Sequence, residues 1–180
     1  YDYSRPKQYD VSAMFQYPQG VDVYEHGHLQ SIHYDNHRKP MMDILSNMKC
    51  NIAKLENGVR VSHQEYYQRI SDAKILLAPF GYGEMAPRDL DAAQFGAVLI
   101  KPDMSYVDTC LDPFVNGETY IACKHDYSDL EEKVEEVLGN YNNYLYIIEN
   151  ARKKFSELYR PENIALHVYD IFKNLKGVTV

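Results

Sequence analysis

Residues 74–100 read KILLAPFGYGEMAPRDLDAAQFGAVLI. This stretch holds two short apolar runs, 75–78 and 97–100, separated by a glycine-containing loop and by a segment that starts at Pro87. Short apolar runs bounded by turn residues predict buried strands, and proline is favoured in the first turn of a helix. The stretch therefore predicts a strand, a loop, a helix and a second strand parallel to the first.

The same alternation of strands and helices continues on both sides of this unit. Ser62 with Glu65, and Ser128 with Glu131, have the spacing of a capping box and predict two helix starts. Further strands are predicted at 9–15, 50–55 and 119–123. The other predicted helices are one capped by Asp35 or Asn36 and continuing through Met48, one over 144–158, and one from Pro161 through Phe172.

The fold class follows from this order of elements. Strands that alternate with helices and are apolar throughout indicate a parallel sheet covered on both faces. We expect an α/β fold with a single Rossmann-like domain over residues 1–180, a parallel sheet of five or six strands, helices on both faces and a helical C-terminus. A chain of 180 residues with 45% hydrophobic content is of the size that buries one core.

Composition excludes several classes of function. A net charge of -7 argues against a nucleic-acid surface, which needs clustered lysine and arginine. No apolar run approaches the roughly 18 residues of a membrane helix, and no secretion leader precedes the first strand, so we expect no membrane span. Cys50, Cys110 and Cys123 have neither disulfide-framework nor zinc spacing, which favours a reducing, cytoplasmic compartment.

The loop at 79–86 is the first candidate site. It leads into a helix start, where unpaired backbone amides from Met85 to Arg88 and the Arg88 cation would face a phosphate. Asp91 lies one turn further on, placed to accept hydrogen bonds from ribose hydroxyls. The alternatives are that Arg88 and Asp91 form a solvated helix face and that Gly81 and Gly83 serve a turn that needs positive φ.

A second group of cations follows the first predicted strand. Arg38 and Lys39 come at a helix start and are candidates to offset the charge of a departing diphosphate; the alternative is plain surface charge. Four histidines, His26, His28, His33 and His37, precede them, but the segment is not continuously helical and no cysteine joins the set. Asp89 and Asp91 would point about 200° apart on a helix. We therefore expect no metal site.

Segments 77–79 and 86–100 together resemble the nucleotide-sugar-binding half of GT-B glycosyltransferases, in the "glycosyl transferases group 1" branch that includes spore-maturation-type proteins. In that branch an arginine precedes a helix that ends in a small-Gly-small sequence and runs into a strand. The segment 114–118, Phe-Val-Asn-Gly-Glu, resembles the loop that follows, and the terminal helices match as well. The resemblance covers residues 55 to 175.

One feature of the resemblance departs from the pattern. Many relatives carry two glutamates eight positions apart across this loop and helix. Here Asp91 stands at the second position, while Gly83 stands at the first and Glu84 is one residue out of register. The anomeric outcome of transfer, inversion or retention, is therefore left open.

The resemblance implies a glycosyltransferase domain that binds a nucleotide-diphosphate sugar and transfers the sugar to a glycan or other acceptor without a metal or further cofactor. The acceptor-binding domain would lie outside this chain. The alternatives are a non-catalytic scaffold module of the same fold and an unrelated flavodoxin-like phosphate-binding domain.

Segment 57–60 resembles the base-contacting segment of the family, although Asn-Gly alone predicts a β-turn. The candidate catalytic residues are Arg88, Arg38 and Lys39, and the candidate nucleotide-binding residues are Val59, Arg60, Gly81, Tyr82, Gly83, Met85, Ala86, Pro87, Arg88 and Asp91.

Overall fold

A computed structural model of the chain describes residues 3, 5–16, 37–56, 59–81, 83–109 and 111–174. Within these ranges, five strands alternate with helices and the C-terminal part is helical, which confirms the predicted fold class. The strands are β1 Tyr9–Ala13, β2 Ile52–Lys54, β3 Ala73–Leu77, β4 Val98–Pro102 and β5 Ile121–Cys123. The α-helices are α1 Lys39–Asn47, α2 His63–Ser71, α3 Pro87–Phe95, α4 Leu130–Gly139, α5 Leu145–Leu158 and α6 Pro161–Asn174, with a 3-10 turn at Tyr141–Tyr144.

The five strands form one sheet in the order β2-β1-β3-β4-β5, and every neighbouring pair is parallel. From β1 the chain first moves outward to β2 and then returns to build β3 on the other side of β1. The connections that start at β1 and at β3 therefore lead to opposite sides of the sheet, so the boundary between β1 and β3 is its switch point. In doubly wound sheets ligands bind at such a switch point, outside the carboxyl ends of the strands.

Both faces of the sheet are buried because successive strand side chains point to opposite sides. Ile75 and Leu77 of β3 face the side covered by α1, α4 and the first turn of α5, whereas Leu76 faces the side covered by α2, α3 and the later turns of α5. In β4, Val98 faces the same side as Ile75, and Leu99 faces the same side as Leu76. The continuous apolar runs seen in the sequence are therefore strands buried on both faces.

The two capping motifs have different outcomes. Ser62 caps α2 as predicted, because its Oγ accepts a hydrogen bond of 3.1 Å from the Glu65 amide. The prediction that Ser128 caps a helix is wrong. Tyr127 has a left-handed φ of 58°, the Ser128 amide donates to the Asp126 carboxylate, and α4 begins only at Leu130. Asp126 thus holds Ser128 in a turn before the helix.

Other boundaries shift by a few residues. The predicted caps Asp35 and Asn36 lie outside the described residues, and α1 begins at Lys39. The predicted strand at 50–55 is shorter, and β4 continues to Pro102. Among the helices that the structure describes, none is both long and apolar enough to cross a lipid bilayer.

Candidate functional site

Gln16 follows β1 and lies at the carboxyl edge of the sheet, beside the switch point between β1 and β3. Arg38 Nη1 donates a hydrogen bond of 3.0 Å to the Gln16 carbonyl, and Gln16 Nε2 donates one of 2.9 Å to the Val59 carbonyl. Three segments that are distant in sequence therefore meet at the carboxyl edge of the sheet. Arg38 and Val59, both predicted from the sequence as site residues, lie on either side of Gln16.

Arg38 is buried beside the loop that follows β3. Its residue exposure is 8%, and its Nη2 would lie 2.8 Å from a Cβ added at Gly81. The glycine thus leaves room for the guanidinium group. The alternative that Gly81 and Gly83 serve a turn with positive φ is wrong, because neither residue adopts it. Among the described residues, no atom lies within 4 Å of a Cβ added at Gly83.

Arg88 lies in the first turn of α3 and reaches toward the same end of β1. Its guanidinium carbon is 5.6 Å from the centroid of the Phe15 ring, which is a cation–π contact. The Arg88 Nη1 atom is buried and has no hydrogen-bond partner among the described residues. Arg88 and Arg38 thus place two cations around Phe15 and Gln16.

The amides at the start of α3 are fewer than the sequence predicted. The Ala86 amide donates to Asp89 Oδ2 at 2.9 Å, the Asp89 amide donates to the Ala86 carbonyl at 2.9 Å, and Pro87 has no amide proton. Within the described part of the chain, only the amides of Met85 and Arg88 in this segment have no hydrogen bond. Asp89 itself satisfies part of the helix end.

Asp89 is held by Lys101, a contact that sequence reasoning missed. Lys101 Nζ lies 2.7 Å from Asp89 Oδ2 and donates to the Glu84 carbonyl at 2.8 Å, and both side chains are fully buried. Lys101 Nζ also lies 4.4 Å from the centroid of the Phe114 ring. Burial raises the pKa of Asp89 and lowers that of Lys101. A lysine at the end of an apolar strand was the signal in the sequence.

Asp91 faces α2. Tyr66 donates a hydrogen bond of 3.3 Å to Asp91 Oδ2. Burial raises the pKa of Asp91, against the opposing effects of the Tyr66 hydroxyl and the Arg88 charge, and burial also raises the pKa of Tyr66 to about 12. Asp89 and Asp91 therefore turn to different partners, Lys101 and Tyr66.

The remaining residues that the sequence predicted as catalytic or nucleotide-binding lie in different parts of the structure. Val59 and Arg60 line a surface groove of about 440 Å³ between β2 and α2. Lys39 pairs with Asp43 at 2.5 Å along α1 and is exposed. Tyr82 lies outside the described residues, as do His26, His28 and His33.

Sequence reasoning also missed a row of rings along the carboxyl edge. The His37 ring lies 5.4 Å from that of Phe80, which lies 5.8 Å from His125, and His125 lies 4.9 Å from Tyr106. The row runs from the start of α1 across β3 to the loops after β4 and β5.

Within the described ranges, no group of three or more histidine, cysteine or acidic residues could hold a metal ion.

Comparisons of the chain with protein-family models, with curated proteins and with solved structures find no match.

Proposed function

We propose that this chain is the donor-binding domain of a glycosyltransferase, and that it holds a nucleotide-diphosphate sugar across the carboxyl edge of its sheet. The observation that supports the proposal most is the pair of guanidinium groups of Arg38 and Arg88, which contact Gln16 and Phe15, the residues that follow β1 at the switch point. Both are partly or wholly removed from water, so their charges are screened less than surface charges. The resemblance of segment 86–100 to GT-B enzymes points to the same ligand.

In the proposed reaction the bond between the sugar anomeric carbon and the diphosphate oxygen breaks. The diphosphate leaves with the electron pair, and an acceptor oxygen bonds to the anomeric carbon and loses its proton. Arg88 and Arg38 would stabilise the charge that develops on the leaving diphosphate, which is the form of catalysis that binds the transition state better than the substrate. Lys39, paired with Asp43, would act only at longer range.

The nucleoside would lie toward α2. There the Asp91 carboxylate would accept ribose hydroxyl bonds, and the Val59 and Arg60 segment would contact the base. The amides of Met85 and Arg88 would add to the diphosphate contacts. The acceptor and the base that removes its proton would belong to a further domain outside this chain, and we place the reaction in the cytoplasm.

Titration calorimetry of the chain with UDP and GDP tests the proposal. We expect saturable binding of at least one of them, with Arg88→Ala weakening the diphosphate more than the matching nucleoside. Arg160→Ala, at an exposed position before α6, is the matched control and leaves both affinities unchanged. No saturable binding of either diphosphate, or equal losses for diphosphate and nucleoside, would contradict the proposal.

The strand order favours a second candidate function. The order β2-β1-β3-β4-β5 is that of flavodoxin-like domains, which bind a flavin mononucleotide at the same switch point. Titration with FMN, followed by quenching of flavin fluorescence, distinguishes this candidate from the first. The third candidate function is a scaffold module without catalysis. Gly83 favours it, because many members of the resembled family have a glutamate at this position. Nucleotide binding without sugar transfer by the full-length protein would select it.

A further inference from the structure

The described residues hold a second surface at the carboxyl edge of the sheet, next to the switch point. Tyr106 follows β4, His125 follows β5, and their ring centroids are 4.9 Å apart. We propose that these two rings form a platform for the sugar ring of the donor. The inference rests on the proposed function and specifies where the transferred sugar lies.

Contacts with neighbouring residues hold the His125 ring of the platform in place. The His125 ring stands between Tyr106 and Phe80, edge-on to Phe80, and its Nε2 lies 3.1 Å from the Asp103 carbonyl. Phe80 is buried, so it fixes one side of the imidazole. Tyr106 is 58% exposed, which leaves its ring open to a ligand. The planes of the two rings are inclined at 58°, so the fixed histidine and the exposed tyrosine form an angled aromatic surface with polar atoms at its edge.

The position of the platform suits the sugar end of the donor. Neighbouring strands lie about 4.8 Å apart, so the end of β5 is about 10 Å from the end of β3. Asp91 contacts Tyr66 of α2. If the diphosphate contacts Arg88 and the ribose contacts Asp91, the sugar extends away from α2 and toward β4 and β5.

The chemistry around the rings also favours a sugar over a nucleotide base or a phosphate. Glu84 is exposed at the rim, and its carboxylate has no hydrogen bond within the described part of the chain. Its backbone carbonyl is held by Lys101 Nζ at 2.8 Å. Burial raises the pKa of Tyr106, and the charges of Glu84 and Asp103 raise it further, so both carboxylates lie near the Tyr106 hydroxyl. Carboxylates accept bonds from sugar hydroxyls and repel phosphate.

The experiment compares nucleotide sugars with the corresponding diphosphates. Calorimetry measures UDP, UDP-glucose, UDP-galactose, UDP-N-acetylglucosamine, GDP and GDP-mannose on the wild-type chain and its variants. We expect Tyr106→Ala and His125→Ala to weaken the preferred nucleotide sugar by about three- to tenfold, the range of an aromatic contact. UDP and GDP binding stays unchanged. Tyr106→Phe keeps the ring and the sugar affinity. Tyr169→Ala removes a tyrosine of similar exposure from α6 and serves as the control.

The outcomes separate this inference from the function on which it rests. Unchanged affinity of Tyr106→Ala for every nucleotide sugar overturns the platform, while UDP or GDP binding leaves the proposed function standing. Equal losses for the diphosphate and its sugar conjugate also overturn it, because the rings would then hold the nucleotide. If the wild-type chain binds none of these compounds, the proposed function fails and the platform fails with it. Thermal unfolding of each variant checks that the fold is retained.

Discussion

Lys101 Nζ, at the end of β4, lies 2.7 Å from Asp89 Oδ2, in the first turn of α3, and both side chains are shielded from solvent. The same ammonium group holds the Glu84 carbonyl, and the same carboxylate oxygen holds the Ala86 amide. One ion pair thus fixes both the loop that enters α3 and the first turn of the helix. The position of Arg88, next to Asp89 in sequence, depends on it.

Loss of Lys101 should therefore cost stability. Lys101→Met leaves the Asp89 charge buried without its partner, and we expect the free energy of unfolding to fall by about 3–5 kcal/mol. Chemical denaturation measures the change. The double variant Lys101→Met with Asp89→Asn removes both charges and should recover more than half of the loss. A single variant that unfolds at the same denaturant concentration as the wild type would contradict this account.

Gly81 and Gly83 provide a matched pair. Gly81→Ala places a methyl group 2.8 Å from Arg38 Nη2, so Arg38 must move and its hydrogen bond to Gln16 weakens. We expect a loss of about 1 kcal/mol in stability, the value of one hydrogen bond, together with weaker UDP or GDP binding. A Cβ added at Gly83 meets no described atom within 4 Å, so Gly83→Ala should leave the stability unchanged. Denaturation and calorimetry on the two variants check this, and similar behaviour of the two would count against it.

Ser62 and Ser128 have the same local sequence motif, but their substitution by alanine should lower the stability by different amounts. Ser62→Ala removes the side-chain acceptor for the Glu65 amide, and we expect about 1 kcal/mol of lost stability. Ser128→Ala removes no helix cap, because α4 begins at Leu130 and has no side-chain cap bond. It should cost clearly less. Urea denaturation of both variants tests the difference, and equal costs would mean that Ser128 supports α4 in another way.

Nucleotide binding should weaken in acid. Asp91 accepts hydroxyl bonds best when ionised, and burial raises its pKa above the ordinary 3.8. Affinity for UDP or GDP should therefore fall as pH decreases through a midpoint above 3.8. Tyr66→Phe removes a hydrogen bond that lowers the pKa of Asp91, so the midpoint should move to higher pH. Calorimetry across the pH range measures it. Tyr67→Phe, on the neighbouring exposed ring, is the control, and identical midpoints in all three proteins would refute the role of Tyr66.

Lys7 should give stability a pH dependence in the alkaline range. Its Nζ donates to the carbonyls of Ser71 and Gly96, and burial, with the nearby Arg5 charge, lowers its pKa to about 8 from 10.5. Between these values the unfolded chain binds more protons than the folded chain, so the cost of burying the ammonium group is relieved as pH rises. Stability relative to Lys7→Met should therefore increase from pH 8 to pH 10.5. A constant difference between the two proteins in thermal unfolding would contradict the shift.

The fold was predicted well because its signals are local. Apolar runs of strand length, proline at position 87 and the cap at Ser62 each depend on residues within a few positions of one another. The same locality placed Arg88 at a helix start. Where the prediction of a helix cap was wrong, at Ser128, a competing local hydrogen bond from the Ser128 amide to the Asp126 carboxylate decided the outcome.

The sequence by itself determined the order of strands and helices, the parallel sheet and the position of Arg88 at the start of α3. Only the tertiary structure decided which side chains share the ligand edge. Tyr106 meets His125, and Lys101 meets Asp89, because crossover connections bring the ends of different elements together, and no local pattern records such a meeting. Burial of Arg38 beside Gly81 and the turn of Asp91 toward Tyr66 have the same origin, since both depend on how helices pack against the sheet.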